Sequence, residues 1–174
     1  SIKTICVGNI YIGGTGKTSF SIELMKLCNN MQIKACFIKK FYSDQIDEQK
    51  LLEKFGKTFI NKSRSKALDE AAKNGFEIAI FDDGLQDKSI LYDISFVCFN
   101  EKNMFGNKRI IPSGPLRERL DNLTKYKNVV INGNQDNQFS IKSFLSENIE
   151  KLNLFNSSYQ PINLDNFNLK KTYL

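Results

Sequence analysis

The chain has 174 residues, 41% of them hydrophobic, and 25 Lys+Arg against 19 Asp+Glu give a net charge of +6. That length carries one domain with a proper core and is short for two, so a single α/β domain over residues 1–174 is expected. The charge suits an anionic ligand or an anionic membrane surface. Nucleic acid is disfavoured, because the lysines are spread along the chain and form no basic stripe interleaved with aromatics.

Cys6, Cys28, Cys36 and Cys98 lie in or beside apolar runs, without C-x-x-C spacing and with no histidine in the chain to complete a zinc set. They read as buried thiols in a reducing cytoplasm. The missing histidine leaves any proton transfer to a carboxylate, a lysine, a tyrosine or water. No apolar run reaches the roughly 20 residues a membrane span needs, and no leader pattern precedes the first strand, so a soluble or peripheral chain is expected.

In chain order, residues 2–7 read as a strand that runs straight into Gly13-Gly14-Thr15-Gly16-Lys17-Thr18. Strand, glycine-rich turn and helix are the context of a triphosphate cradle, in which backbone N–H groups and the helix N-terminus face the phosphates. Tyr11 stands where G-x-x-x-x-G-K-[ST] has its first glycine, so the cradle is read as Tyr11, Ile12, Gly13, Gly14, Thr15, Gly16, Lys17 and Thr18. Lys17 would reach the β- and γ-phosphates and the Thr18 hydroxyl would ligate Mg²⁺. The alternative is that the glycines only turn the chain, but such a turn would not require Lys-Thr at this spot.

Residues 17–31 follow as a helix with Phe20, Leu24, Leu27, Cys28 and Met31 on its apolar face. Residues 35–38 form an apolar run, 47–55 a helix with Leu51, Leu52 and Phe55 apolar, 58–60 a strand, and 63–74 a helix ended by Gly75. Residues 78–81 are a buried strand that delivers Asp82 to the Mg²⁺ region beside the phosphate loop. Asp82 could instead merely open the turn at Asp83-Gly84. Two adjacent carboxylates repel unless a cation stabilises them, which favours a divalent ion at Asp82 and Asp83.

Strands at 94–99 and 128–131 come next, with a short helix near 116–123 between them. The loop at 105–120 concentrates Lys108, Arg109, Arg117 and Arg119 among prolines and glycines, an arrangement that aims cations at something anionic. A solvated helix start at Arg117-Glu118-Arg119 is the alternative. Residues 132–138 read as a surface loop, 140–152 as a capped helix with Ile141, Phe144, Leu145, Ile149 and Leu152 inward, and 169–174 as a strand just starting. Alternating strands and helices make a mostly parallel, three-layer α/β sheet with its site at the carboxyl ends of the strands.

Three blocks, Val7-Gly8-Asn9-Ile10 with the loop through Thr18, Asp82-Asp83-Gly84-Leu85-Gln86, and Gly106-Asn107 through Gly114-Pro115-Leu116-Arg117-Glu118 to Leu120, occur in this order. Together they resemble the tetraacyldisaccharide 4'-kinase family of lipid A synthesis, over most of the chain. The resemblance implies a P-loop NTPase-like kinase that uses ATP and Mg²⁺ to phosphorylate the 4'-hydroxyl of a tetraacylated glucosamine disaccharide. It places the reaction at the cytoplasmic face of the bacterial inner membrane, with a peripheral protein on an anionic surface and no protein partner; the present stretch alone is expected to be soluble in the cytoplasm. Lys17, Asp83 and Asp47 are its implied catalytic residues, Asp47 by its place in Ile46-Asp47-Glu48-Gln49, the nearest match to a Gly-Asp-Glu-Pro motif that carries the hydroxyl-activating aspartate. Thr18, Asp82 and Asp83 are the implied metal set, and Arg64, Arg117 and Arg119 the implied contacts to an acidic headgroup.

The sequence departs from the family pattern where Lys39-Lys40-Phe41-Tyr42 stands for Ser-Arg-Gly-Tyr and where Asp87 stands for a histidine. The family's N-terminal membrane-associating helix and its C-terminal lobe, which supplies a histidine, have no counterpart here, so a truncated protein is expected. Two other readings stay open: a nucleotide-binding part of that family with impaired catalysis, and a phosphate-loop ATPase that switches a protein partner.

Overall fold

Near-continuous apolar runs, in which successive residues on both faces are buried, build one parallel sheet covered on both sides. The structure is a computed structural model and describes residues 1–43, 45–133, 135–149 and 151–158. Its strands are β1 (Lys3–Gly8), β2 (Ala35–Lys40), β3 (Thr58–Asn61), β4 (Ile78–Asp82), β5 (Ile94–Asn100), β6 (Lys127–Asn132) and β7 (Asn153–Ser157). Its helices are α1 (Lys17–Asn30), α2 (Ile46–Glu53), α3 (Arg64–Lys73), α4 (Leu123–Tyr126) and α5 (Gln135–Asn148), with a 3₁₀ turn at Leu120–Asn122 before α4.

All neighbouring strands are parallel, in the order β3-β2-β4-β1-β5-β6-β7. Successive residues point to opposite faces, as the two-residue period of a strand requires. Cys6, Cys36, Ile38, Phe81, Val97, Phe99 and Ile131 join one core layer with Ala67 and Ala71 of α3 and Ile141 and Leu145 of α5. Val7, Phe37, Ile80, Cys98 and Val130 point the other way, onto Ile22, Met25 and Cys28 of α1 and Leu52 of α2. The expected three-layer, mostly parallel α/β sheet is therefore the one observed.

The chain runs from β1 outward to β2 and β3, returns to insert β4 beside β1, and then continues past β1 to β5, β6 and β7. The carboxyl end of β1 thus lies at the point where the winding reverses, which is where a doubly wound sheet opens a crevice for a ligand. The register pairs Val7 with Asp82, so the phosphate-loop sequence and the double aspartate leave the sheet side by side.

Several local expectations are corrected. On α1 the buried residues are Ser21, Ile22, Met25 and Cys28, whereas Leu27 and Met31 are 54% and 62% exposed. The helix is rotated so that the Ser21 hydroxyl can reach Asp82, and Phe20 and Leu24 only flank the core. No helix starts at Leu116. Its side chain is fully buried, its backbone forms isolated β-bridges with Tyr11 and Ile110, and helical structure begins at Leu120. α5 begins at Gln135, inside the stretch expected to be a loop, and Ser140 lies within it instead of capping it. β7 was not expected at all, while the strand expected over 169–174 lies outside the described residues. The four cysteines are buried and free, as expected.

Candidate functional site

The loop after β1 is shaped by glycines that hold backbone angles an L side chain resists, Gly13 at φ +115° and Gly16 at φ +81°. Beside Gly13 and Gly14 the space is open, since a Cβ built on either meets nothing within 4 Å. Gly16 precedes α1 without any side-chain cap, and the first turn of α1 carries no acidic residue. The amide donors there stay available to an anion, and the helix dipole favours one. A cleft of about 180 Å³ lies over residues 13–19, with Glu48 of α2 on its wall.

Two asparagines set the loop's shape, Asn9 of the first sequence block and Asn132, which no motif marks. Asn9 donates through Nδ2 to the Gly13 carbonyl at 3.2 Å and to the Thr15 hydroxyl at 3.1 Å. Asn132, at the end of β6, donates to the Thr15 carbonyl. Both asparagines and Thr15 are buried. Nothing local in the sequence signals this, because residue 132 reaches residue 15 only through the strand order.

Asp82 ends β4 with its side chain fully buried. Thr18 Oγ1 lies 3.3 Å from its Oδ2 and Ser21 Oγ 3.3 Å from its Oδ1. Lys39, at the end of the adjacent β2, donates to the same Asp82 Oδ2 at 2.8 Å and to Glu48 Oε2 at 2.7 Å. Burial pushes the Lys39 ammonium pKa down, but the charge and hydrogen bond of Asp82, with the help of Glu48, outweigh it and hold the pKa above the ordinary lysine value. Lys39 is thus a buried, charged cation wedged between two carboxylates, and sequence reading treated it only as a departure from a motif.

Asp83 adopts φ +60°, a left-handed conformation that aspartate tolerates better than most residues, and its amide donates to the Val7 carbonyl at 2.8 Å. Its carboxylate lies between Lys17 Nζ at 3.8 Å and Arg117 Nη1 at 3.1 Å. Arg64, the first residue of α3 and only 6% exposed, donates to the Asp83 carbonyl and, at 3.1 Å, to Asp87 Oδ2. The Asp87 carboxyl is held below the ordinary range, first by the Ser89 hydroxyl and then by the Ser89 amide and Arg64, against the opposing effect of burial. A second cleft of about 570 Å³ adjoins these groups, with Lys40, Arg64, Lys88 and Arg117 outnumbering Asp83 and Asp87 on its walls. It is large enough for a small ligand and its charge excess selects an anionic one.

The third sequence block is fastened directly onto the phosphate loop. Ile12 donates its amide to the Pro115 carbonyl at 2.9 Å, and Arg117 donates its own to the Ile10 carbonyl at 2.7 Å. Gly114 is required for this fold-back, since a Cβ there would stand 2.4 Å from the Arg109 carbonyl oxygen. The strap presents the Arg117 guanidinium to the large cleft. Arg119 turns away, three-quarters exposed, and pairs with Asp121 instead. Asp47 is exposed on the first turn of α2, one residue from Glu48, which does face the phosphate loop.

The Thr18 hydroxyl lines the phosphate-loop cleft and is suited to ligate a Mg²⁺ ion brought in with phosphates, whereas the Asp82 carboxylate behind it is already engaged by the Lys39 ammonium. Among the described residues no group of three or more His, Cys, Asp and Glu side chains could hold a metal. Nor, among those residues, is any helix long and apolar enough to cross a membrane.

Comparison with known proteins agrees with this geometry. A family model described as tetraacyldisaccharide-1-P 4'-kinase (LpxK) matches residues 1–54 and 42–172. The tetraacyldisaccharide 4'-kinase of Pelagibacter ubique (strain HTCC1062) is 53% identical over 173 residues, covering 99% of this chain and 55% of that protein. The tetraacyldisaccharide 4'-kinase of Jannaschia sp. (strain CCS1) is 32% identical over 147 residues, covering 75% and 45% respectively. The chain spans about half the length of these curated relatives. The crystal structure of LpxK from Aquifex aeolicus in complex with ATP superposes with a TM-score of 0.61 over 99% of this chain and 74% of that one; at 18% identity it shows the shared fold.

Proposed function

This chain belongs to the tetraacyldisaccharide 4'-kinase family, and from that premise we propose that it forms the nucleotide-binding part of an enzyme that transfers the γ-phosphate of ATP to the 4'-hydroxyl of a tetraacylated glucosamine disaccharide. The observation that carries the reading is the strap: the Pro115 carbonyl and the Arg117 amide bind the phosphate loop, and the Arg117 side chain meets Asp83 in the adjoining cationic cleft. One structural unit therefore joins a triphosphate cradle to a site for an anionic acceptor. A switch ATPase that answers to a protein partner has no use for that arrangement.

In this proposal the residues of the cradle hold the triphosphate, with Lys17 on the β- and γ-oxygens. When bound, Mg²⁺ would neutralise charge on those oxygens, held by Thr18 with Asp82 and Asp83 nearby. Arg64 and Arg117 orient the phosphorylated headgroup in the large cleft, and Arg119, on the outer side of the strap, contributes to the surface over which the lipid arrives. Asp47, at the solvent edge of α2, accepts the proton of the 4'-hydroxyl. That oxygen bonds to the γ-phosphorus while the bond to the β-phosphate oxygen breaks, and ADP leaves. The loose transition state asks mostly for alignment and for charge neutralisation, which the loop amides, Lys17 and the arginines provide. The whole enzyme is proposed to work as a peripheral protein on the anionic cytoplasmic face of the inner membrane.

The test is transfer of labelled γ-phosphate from Mg-ATP to a tetraacylated glucosamine disaccharide 1-phosphate, beside an ATP titration of the same protein. Transfer with saturable ATP binding supports the reading. Binding without transfer restricts this stretch to holding nucleotide, and absence of both removes it.

A further inference from the structure

We infer that Lys39 is a built-in cation of the metal subsite: its ammonium sits between Asp82 and Glu48, keeps divalent ions off that carboxylate pair, and makes nucleotide binding by this chain nearly independent of divalent cation. The last clause rests on the nucleotide-binding reading above; the first two do not.

The geometry is specific. Lys39 belongs to β2, which lies beside β4, and its side chain is 2% exposed. It donates to Asp82 Oδ2 at 2.8 Å and to Glu48 Oε2 at 2.7 Å, so two carboxylates from two different elements converge on one ammonium. Asp82 Oδ2 is also the oxygen that faces the Thr18 hydroxyl, at 3.3 Å. A carboxylate placed behind a phosphate-loop threonine is suited to receiving hydrogen bonds from the water shell of a divalent ion. Here a tethered ammonium already donates to that acceptor oxygen.

Charge counting gives the consequence. Without Lys39 the buried Asp82 and the half-exposed Glu48 would place two negative charges at the mouth of the phosphate-loop cleft, an inducement to a divalent ion. With Lys39 in place only one negative charge is left over, and an entering ion would meet a fixed positive charge at short range. The buried ammonium cannot be dislodged cheaply, because breaking a buried pair leaves an uncompensated charge. The sequence motif that this segment resembles has serine at this position, so the small side chain is the natural substitution for the test.

The experiment uses Mn²⁺ alone as the first probe, titrated by electron paramagnetic resonance against the nucleotide-free protein. Lys39→Ser should bind Mn²⁺ at least about tenfold more tightly than the unsubstituted chain. That gain should vanish in Lys39→Ser with Asp82→Asn, while Lys39→Arg, which keeps the charge, should behave like the starting protein. A second titration measures ATP affinity in Mg²⁺ and in EDTA. The unsubstituted chain should differ by no more than about threefold between the two, and Lys39→Ser by more than about tenfold.

A saturable Mn²⁺ site in the unsubstituted chain that Asp82→Asn abolishes would overturn the inference, as would a larger loss of its ATP affinity in EDTA. The ATP comparison in Mg²⁺ and EDTA uses only the unsubstituted chain, so it decides even where Lys39→Ser does not fold. Failure to bind ATP under either condition would instead remove the nucleotide reading, and the Mn²⁺ comparison would still judge Lys39.

Discussion

Asn132→Ala removes a contact that ties the far side of the sheet to the phosphate loop. Asn132 is 2% exposed and donates to the carbonyl of Thr15, itself 2% exposed. Truncation removes the donor and leaves a buried carbonyl without it, at a cost of about 1–3 kcal/mol. For a domain of this size each kcal/mol lowers the melting temperature by about 2–4 °C, so a drop of about 2–12 °C is expected. The loop does not collapse, because Asn9 still holds the Gly13 carbonyl and the Thr15 hydroxyl. The loss should therefore appear mainly in stability, with ATP affinity reduced less than about tenfold. Asn9→Ala combined with Asn132→Ala should lose more than the sum, since both side chains restrain the same residue. Thermal melts followed by circular dichroism, with an ATP titration of each variant, measure both effects. A melting temperature for Asn132→Ala within about 1 °C of the unsubstituted protein would show that the side chain does not hold Thr15.

Four further outcomes are expected. Lys17→Ala should lower phosphoryl transfer by about 100-fold or more, as loss of one transition-state donor does; near-normal rates would refute the cradle. Arg117 meets Asp83 at 3.1 Å and Gln86 at 3.4 Å through Nη1 alone, so Arg117→Lys keeps the charge for those partners but loses the planar guanidinium that would grip an anionic headgroup. Kinetics should then show the KM for the acceptor rising by about tenfold with little change for ATP, and the reverse split would place Arg117 on the nucleotide. Burial pushes the Cys6 and Cys36 thiols up to about 12, and Cys28 and Cys98 upward too. Iodoacetamide at pH 8 should leave all four unmodified until denaturant is added, and rapid labelling of the native protein would contradict this. The Thr4 amide, with Lys3 and the Thr4 hydroxyl, draws Asp93 from 3.8 to about 2. A carboxylate lowered by folding stabilises above its unfolded pKa and loses that contribution as pH falls through its folded one. Asp93→Asn should therefore be less stable at neutral pH, with the gap closing between about pH 4 and 2; a gap unchanged at pH 2 would assign the effect to something other than ionisation.

Much of the site was legible because its chemistry is local. The glycines, Lys17 and Thr18 lie within six consecutive residues, and the turn conformations they impose follow from the residue types themselves. Asp82 and Asp83 were found by the apolar strand before them, and the cationic loop by its prolines and arginines. The helix faces were read less well. Of the expected stripe Phe20, Leu24, Leu27, Cys28 and Met31 only Cys28 is buried; the inner face is turned so that Ile22 and Met25 pack on the sheet and the Ser21 hydroxyl meets Asp82. β7 escaped because an edge strand with two apolar residues, Leu154 and Phe155, owes its existence to pairing with β6 and to no pattern of its own.

The class of the fold, the place of the phosphate cradle and the family can be read from the amino-acid order, since they rest on periods of two and near four residues and on contiguous motifs. The tertiary structure alone decided which distant residues meet: Asn132 with Thr15, Lys39 with Asp82 and Glu48, Arg64 and Arg117 with Asp83. The reason is that parallel strand order sets these encounters. Inserting β4 between β1 and β2 brings residues more than forty positions apart into hydrogen-bonding distance, and no local pattern encodes the order in which strands are laid down.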